Sequence, residues 1–195
     1  EAAYISQLEL QSLLERAMRR ARLPMAFSQG FHPLPLISFG RALPVGVESQ
    51  AEWFSIVLRE PVGTTEGMER LAPRMLKGMR LDRLEAIPVN DKSVGAVQET
   101  FSVRFTGPDK ARFMEAWNGF AASESFLFSR ETKKGPRPAD IRPLFEVIEW
   151  DEHGTLYLVT DWSQTYISPM TLARAITPWA ETHQLKNMKL SQMFA

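Results

Sequence analysis

Helical and strand-like hydrophobic spacing alternate along the first half of the chain. Apolar residues recur every three to four positions from Gln7 to Ala21, behind a Ser6–Glu9 capping box, and predict a first helix. A second helix is predicted from Thr64 or Thr65 to Gly78, with a kink or break at Pro73. Alternating or short apolar runs predict strands at residues 1–5, 36–39, 43–47, 51–59 and 80–89.

The second half repeats this order of elements. Alternating apolar runs predict strands at residues 97–105, 126–132, 144–150, 155–161 and 188–193. One helix is capped by Asp109 and runs to about Ala122, and another starts at Ser168-Pro169. The second half has one added segment, residues 133–143, placed between two paired strands.

Each half therefore contains the order strand, helix, strand, strand, helix, strand, with one further predicted strand between its two helices. This order is the split βαβ pattern of ferredoxin-like domains. We predict an α+β fold of two tandem ferredoxin-like halves with antiparallel sheets. The polar, apolar-poor residues 90–95 mark the boundary, so that the halves are residues 1–89 and 96–195.

Composition excludes several classes of function. Lys+Arg and Asp+Glu both number 23, so no global basic surface marks a nucleic-acid-binding protein. The absence of cysteine excludes disulfides, a thiol nucleophile and a cysteine-ligated cluster. The three histidines show no metal-ligand spacing. No apolar run approaches the ~20 residues that span a bilayer, and no signal peptide is visible, so we expect a cytoplasmic protein without a membrane partner.

The added segment holds the strongest local basic cluster. The segment contains one glycine, several prolines and a single acid, Asp140. Its four basic residues are Lys133, Lys134, Arg137 and Arg142. Such segments suit phosphate contacts, because cationic side chains and free backbone amides both attract an anion. A solvated hairpin loop is the alternative interpretation.

Glycines, prolines and polar side chains concentrate between Phe27 and Ser49. This stretch contains Gln29, His32, Arg41 and Glu48 and predicts an irregular edge strand, an ordered functional loop or a stiff connection. His32 can equally be a packed or exposed loop histidine, and Glu48 can cap a turn.

Arginines crowd the end of the first helix. They suit a helix C-terminus facing solvent, or form one wall of an anion site; they are Arg16, Arg19, Arg20 and Arg22. From these three regions we assign ten residues to substrate or RNA binding: Lys133, Lys134, Arg137, Asp140, Arg142, Gln29, His32, Arg41, Glu48 and Arg19.

Several of these segments resemble one bacterial family. The similarity to the radical-SAM-linked family of unknown function DUF2344 covers both halves and is carried by residues 6–10, 15–21, 28–33, 37–40, 43–49, 132–135 and 140–143. The resemblance implies a radical SAM protein as partner, fused or separate, which carries S-adenosylmethionine and the iron–sulfur cluster, so that this chain has no cofactor of its own. It implies no catalytic residues.

Three functions remain open on this basis. The first is a non-catalytic accessory module that presents an RNA substrate, tRNA or ribosomal RNA, to a radical SAM enzyme. The second is a domain that docks on the radical SAM partner without touching RNA. The third is a stand-alone enzyme in which His32, Glu48, Asp140 and Arg142 converge.

Overall fold

The computed structural model describes residues 2–89, 96–132, 135–162 and 166–194. The chain divides into two compact units, and the division is not linear along the sequence. The first unit is Glu1–Val45 with Glu52–Val94, and the second is Gly46–Ala51 with Gly95–Ala195. The short segment Gly46–Ala51 therefore belongs to the second unit although it lies between two stretches of the first, an exchange that the predicted boundary at residues 90–95 does not include.

Helices and strands are mixed in both units, and the mixed α and β class is confirmed. Within the described residues, the α-helices are Gln7–Arg20 (α1), Thr64–Leu71 (α2), Lys110–Ala122 (α3) and Pro169–Ile176 (α4). The strands are Ile37–Phe39 (β1), Glu48–Ser49 (β2), Phe54–Ile56 (β3), Ala96–Phe105 (β4), Leu127–Thr132 (β5), Gly135–Asp140 (β6), Phe145–Trp150 (β7), Thr155–Asp161 (β8) and Leu185–Phe194 (β9).

Helix α1 organises the core of the first unit. The predicted capping box is present, since Ser6 Oγ accepts the Glu9 N–H at 3.3 Å and Glu9 Oε2 accepts the Ser6 N–H at 2.9 Å. The strands β1 and β3 pair antiparallel in this unit. The core draws on α1, the chain after it and α2, and its buried members are Leu14, Ala17, Met18, Ala21, Leu23, Met25 and Leu71.

The second unit is built on a five-stranded sheet in the order β2-β9-β4-β8-β7. Neighbouring strands are antiparallel except β2, which pairs parallel with β9, so the sheet is mixed rather than purely antiparallel as predicted. The ring of Phe113 on α3 stacks on Phe105 of β4 with centroids 4.9 Å apart. The sheet face on this side is apolar and buried, and it includes Phe101, Val103, Leu156, Leu158 and Leu185.

The helix caps and the helix break at Pro73 lie where the sequence predicts them. Helix α2 ends at Leu71 and a 3-10 turn, Ala72–Arg74, carries Pro73, which is the predicted break. An Asp109 carboxylate oxygen accepts the Arg112 N–H at 3.1 Å and begins α3. Ser168 begins α4 in the same way, with Oγ accepting the Thr171 N–H at 3.1 Å.

Three strands predicted in the first half are wrong. Ala2–Tyr4 is a 3-10 turn, and no strand occupies residues 43–47 or 80–89. Gly46 has φ +90 and follows Pro44, so this segment turns and pairing starts later, at β2. In the later segment the apolar residues recur every third position, as Leu81, Leu84 and Ile87, which does not give a sheet face.

The described part of the added segment, residues 135–143, is a strand followed by the start of a 3-10 turn. Residues 135–140 form β6, which pairs antiparallel with β5 in a separate two-stranded sheet. A 3-10 turn, Arg142–Leu144, then leads directly into β7. We call the β5–β6 hairpin the arm.

Candidate functional site

The arm places two arginines at directly opposed positions. In the β5–β6 register, Arg130 is the partner of Arg137. Like charges at directly opposed positions of an antiparallel pair are destabilising. The backbone register therefore brings two cationic residue types to the same position along the arm. Lys133 and Lys134, predicted to belong to the same basic cluster, lie outside the described residues.

Strand β6 of the arm is exposed, and its outer edge is poorly suited to pairing with a further strand. The side chains from Pro136 to Asp140 are all solvent-exposed. Pro136 and Pro138 remove two amide donors from β6, which limits its ability to pair with a strand of another protein. The exposed surface of β6 therefore presents side chains, including that of Arg137, rather than a full row of backbone donors.

Asp140 fastens the base of the arm. Its Oδ1 accepts the Phe126 N–H at 2.8 Å and the Arg142 N–H at 3.1 Å. The Phe126 bond, with a smaller contribution from the Ser125 side chain, lowers the pKa of Asp140 below its usual value. The next residue, Ile141, is fully buried, so the arm leaves the body of the unit at this point.

The guanidinium of Arg142 is used inside the unit rather than at its surface. Nη2 donates to the Ala121 carbonyl at 2.9 Å and Nη1 donates to the Phe145 carbonyl at 3.0 Å. The group lies 5.7 Å from the centre of the Phe120 ring. Because Ala121 lies in the last turn of α3, Arg142 satisfies a carbonyl left unpaired at the helix end. Its side chain does not pair with Asp140, and we interpret it as structural.

The predicted site residues divide between the two units. Gln29, His32, Arg41 and Arg19 belong to the first, whereas Glu48, Arg137, Asp140 and Arg142 belong to the second. Gln29 and His32 are exposed on the loop before β1, and Glu48 is exposed in β2. Asp140 and Arg142, two of the four groups of the enzyme hypothesis, use the polar atoms described above to bind backbone groups.

Arg19 connects α1 with the glycine- and proline-rich stretch of the first unit. Its Nε and Nη2 donate to Glu15 Oε1 at 2.9 and 2.7 Å, and the guanidinium lies 5.3 Å from the centre of the Phe27 ring. Its charge is thus already compensated one turn earlier on the helix. Arg19 is a weaker anion-binding candidate than its place in the arginine cluster suggests.

The second unit contains a buried ionic cluster that was not predicted from the sequence. Lys189 Nζ on β9 lies 3.3 Å from Glu99 Oε1 on β4, and Glu99 Oε2 accepts the Trp162 Nε1–H at 2.7 Å. Glu99 and Lys189 are each 2% exposed. The β4–β9 register shifts next to Lys189, between Thr100 and Phe101, as at a bulge.

This cluster is closed to solvent and its charges compensate each other. Buried charges are tolerated when they are paired and hydrogen-bonded, and Glu99 has partners on both carboxylate oxygens. We assign it to specifying how β4 and β9 meet. One signal was visible in the sequence, since Glu99 interrupts an otherwise mostly apolar face of the strand predicted at residues 97–105.

The structure offers neither a metal cluster nor a membrane span within its described parts. No group of three or more His, Asp or Glu side chains in residues 2–89, 96–132, 135–162 and 166–194 is placed to hold a metal ion. None of the helices in those ranges combines the length and apolar character that crossing a bilayer requires.

Comparison with known proteins gives a family match without a described activity. Residues 1–176 match DUF2344, a family described as an uncharacterised protein conserved in bacteria. No curated protein matches the chain.

Proposed function

The chain belongs to the bacterial DUF2344 family, and we propose that it is a non-catalytic accessory module that presents an RNA substrate to a radical SAM enzyme. In this proposal the partner carries S-adenosylmethionine and the iron–sulfur cluster, and this chain supplies RNA contacts in the cytoplasm. The RNA is a tRNA or a ribosomal RNA.

The observation that carries the proposal is the backbone register of the arm, which pairs the positions of two cationic residue types, Arg130 and Arg137. The polyanionic backbone of RNA compensates such a pair, because each phosphate accepts hydrogen bonds from guanidinium groups. In the sequence, Lys133 and Lys134 stand between Thr132, the last residue of β5, and Gly135, the first residue of β6. This concentrates cations on one segment of a chain whose formal net charge is zero.

The topology of the second unit is compatible with this role. Its elements follow in the order β4, α3, β7, β8, α4, β9, and the sheet order β9-β4-β8-β7 is antiparallel throughout. This supports a ferredoxin-like second half with the arm inserted after α3. We propose the first half as a reduced version of the same pattern, with β1 and β3 as its paired strands. The fold adds weight to RNA binding by analogy alone.

The test is RNA binding measured by fluorescence anisotropy with total tRNA and a ribosomal RNA fragment, at low and moderate salt. Charge reversal at Lys133, Lys134 and Arg137 should weaken binding and reduce its dependence on salt, because fewer counterions are released. The matched control reverses Lys77, Arg80 and Arg83, three exposed cations of the first unit. Equal losses in both triple variants, or unchanged RNA affinity in the arm variant, would contradict the proposal.

A second candidate function is docking on the radical SAM protein without RNA contact. It is favoured by exposed apolar side chains before β1, where Phe31 is fully exposed and Leu34 is 61% exposed. Co-purification with the radical SAM protein tests it, comparing the wild type with a Phe31→Ser/Leu34→Ser variant. A complex that both proteins form equally well would remove this surface from consideration.

A further inference from the structure

The end of helix α1 is followed by a non-glycine residue in an unusual backbone conformation. Arg22 has φ +55, in the left-handed region, directly after the helix. The Arg22 N–H bonds to the Arg19 carbonyl at 3.0 Å and the Leu23 N–H bonds to the Met18 carbonyl at 3.2 Å. This is a Schellman motif, whose left-handed position is usually glycine because a side chain there strains the backbone. The arginine at this position therefore carries a local conformational cost that glycine would not have.

The carbonyls at this helix end are covered by a second arginine. Arg70 Nε on α2 donates to the Ala21 carbonyl at 2.9 Å, and its Nη2 donates to the Arg22 carbonyl. Its Nη1 also pairs with Glu66 at 2.9 Å. The negative end of the α1 dipole is therefore compensated, so it does not repel an anion from the neighbouring surface.

A solvent-open cleft of about 410 Å³ lies beside this helix end. Four arginines and one acid line it together with two small residues, namely Arg20, Arg22, Arg70, Arg74, Glu69, Ala21 and Pro73. Arg20 Nη2 reaches the Arg74 carbonyl at 3.3 Å. Among the residues that the structure describes, the guanidinium groups of Arg22 and Arg74 make no hydrogen bond or ion pair.

We propose that this cleft binds a phosphate group. Two unpaired guanidinium groups at its wall offer the forked donor geometry that phosphate oxygens accept. Glu69 is the single carboxylate of the lining and stands against four cations. The size of the cleft suits a phosphate ester together with part of the group that carries it. The inference does not depend on the RNA-presenting role, because it concerns a different segment from the arm.

The simpler interpretation is that arginines complement the carbonyl ends of α1 and α2. That interpretation accounts for Arg70, which binds two of those carbonyls, and for Arg20, which binds one. It does not account for Arg22, since glycine at that position removes the strain and keeps the motif. A ligand contact explains why a side chain is present there.

The test measures binding of inorganic phosphate by calorimetry, in chloride buffer of matched ionic strength. Arg22→Gly and Arg74→Gln should each weaken binding about tenfold or more, as expected for loss of a hydrogen bond between charged groups. Arg22→Gly should also leave the melting temperature unchanged or higher, because the left-handed strain is removed. Arg83→Gln is the matched control, an exposed arginine of the same unit paired with Glu85 and outside the cleft, and it should bind as the wild type does.

Two further probes identify the source of the phosphate. Tighter binding of a nucleoside 5′-monophosphate than of an oligoribonucleotide with hydroxyl ends points to a terminal phosphate, and the reverse order points to backbone phosphates. Either order supports the site if the Arg22→Gly protein no longer binds the phosphate probes more tightly than it binds chloride. Phosphate binding that is absent in the wild type, or equal in the wild type and Arg22→Gly, overturns the proposal.

Discussion

Replacement of Lys189 by methionine is the sharpest test of how the second unit is held together. The substitution keeps most of the buried aliphatic volume and removes the ammonium group that lies 3.3 Å from Glu99. The Glu99 carboxylate then stays in a core position with 2% exposure, where Trp162 Nε1–H remains as a donor. We expect strong destabilisation, because a buried charge loses its compensating partner.

The size of the effect follows from the burial of both groups. Removing one partner of a buried ion pair costs about 3–5 kcal/mol in the free energy of unfolding. With a urea dependence of about 2 kcal/mol per molar for a unit of this size, the unfolding midpoint falls by on the order of 2 M. Lys186→Met is the matched control, since Lys186 is exposed on the same strand, and it should change stability by less than about 0.5 kcal/mol.

A double variant separates the ion pair from the packing. Glu99→Gln/Lys189→Met removes both charges and keeps an oxygen acceptor for the indole N–H. It should recover most of the loss, since replacing a whole buried pair is often close to neutral.

Urea unfolding followed by tryptophan fluorescence is the suitable assay. Four of the five tryptophans belong to the second unit, namely Trp117, Trp150, Trp162 and Trp179. A Lys189→Met protein within about 1 kcal/mol of the wild type would refute the reasoning. So would a double variant that is no more stable than the single one.

Three further predictions concern the arm and the first helix. Because hydrogen bonding from Phe126 lowers the pKa of Asp140, the stability that its ionised form contributes is present above the unfolded pKa and is lost as pH falls through the folded one. Urea midpoints of Asp140→Asn should therefore fall less than those of the wild type between neutral pH and about pH 3. Arg142→Met removes two hydrogen bonds from a guanidinium to carbonyls and should cost about 3 kcal/mol in the same assay, whereas a loss under about 1 kcal/mol would show that these bonds are dispensable. Ser6→Ala should cost about 1 kcal/mol through loss of the helix cap, measured as a lower melting temperature, and an unchanged value would contradict the capping argument.

The strands and helices of the second unit could be predicted from the sequence because apolar runs mark its strands and capping residues mark its helix starts. Strand β8 occupies Thr155–Asp161 as predicted, because the segment holds the short apolar run Leu156–Val159 and a tight turn precedes it. The first unit was harder, because prolines and glycines break the alternation and Leu81, Leu84 and Ile87 recur at a spacing of three. Such spacing favours neither a sheet face nor a full helical turn.

The candidate sites were predictable in composition and not in geometry. The arginines at the end of α1 are visible in the sequence, but Arg22 in the left-handed conformation is not, since glycine is the expected residue there. Arg130 opposite Arg137 depends on the hairpin register, which the sequence alone did not give. Glu99 was visible as a polar residue on an apolar strand face, whereas its partner Lys189 comes from a strand distant in sequence.

The pairing of β2 with β9 has a consequence for folding during synthesis. In the parallel register Glu48 faces Met188, so this edge strand leaves the ribosome long before its partner strand exists. At typical rates of elongation the delay is on the order of ten seconds. During that interval the residues around Glu48 remain without their final neighbour, and the sheet acquires this edge last. The order of translation therefore makes completion of the second unit a late event, because β2 must wait for β9, which follows every other described strand in the sequence.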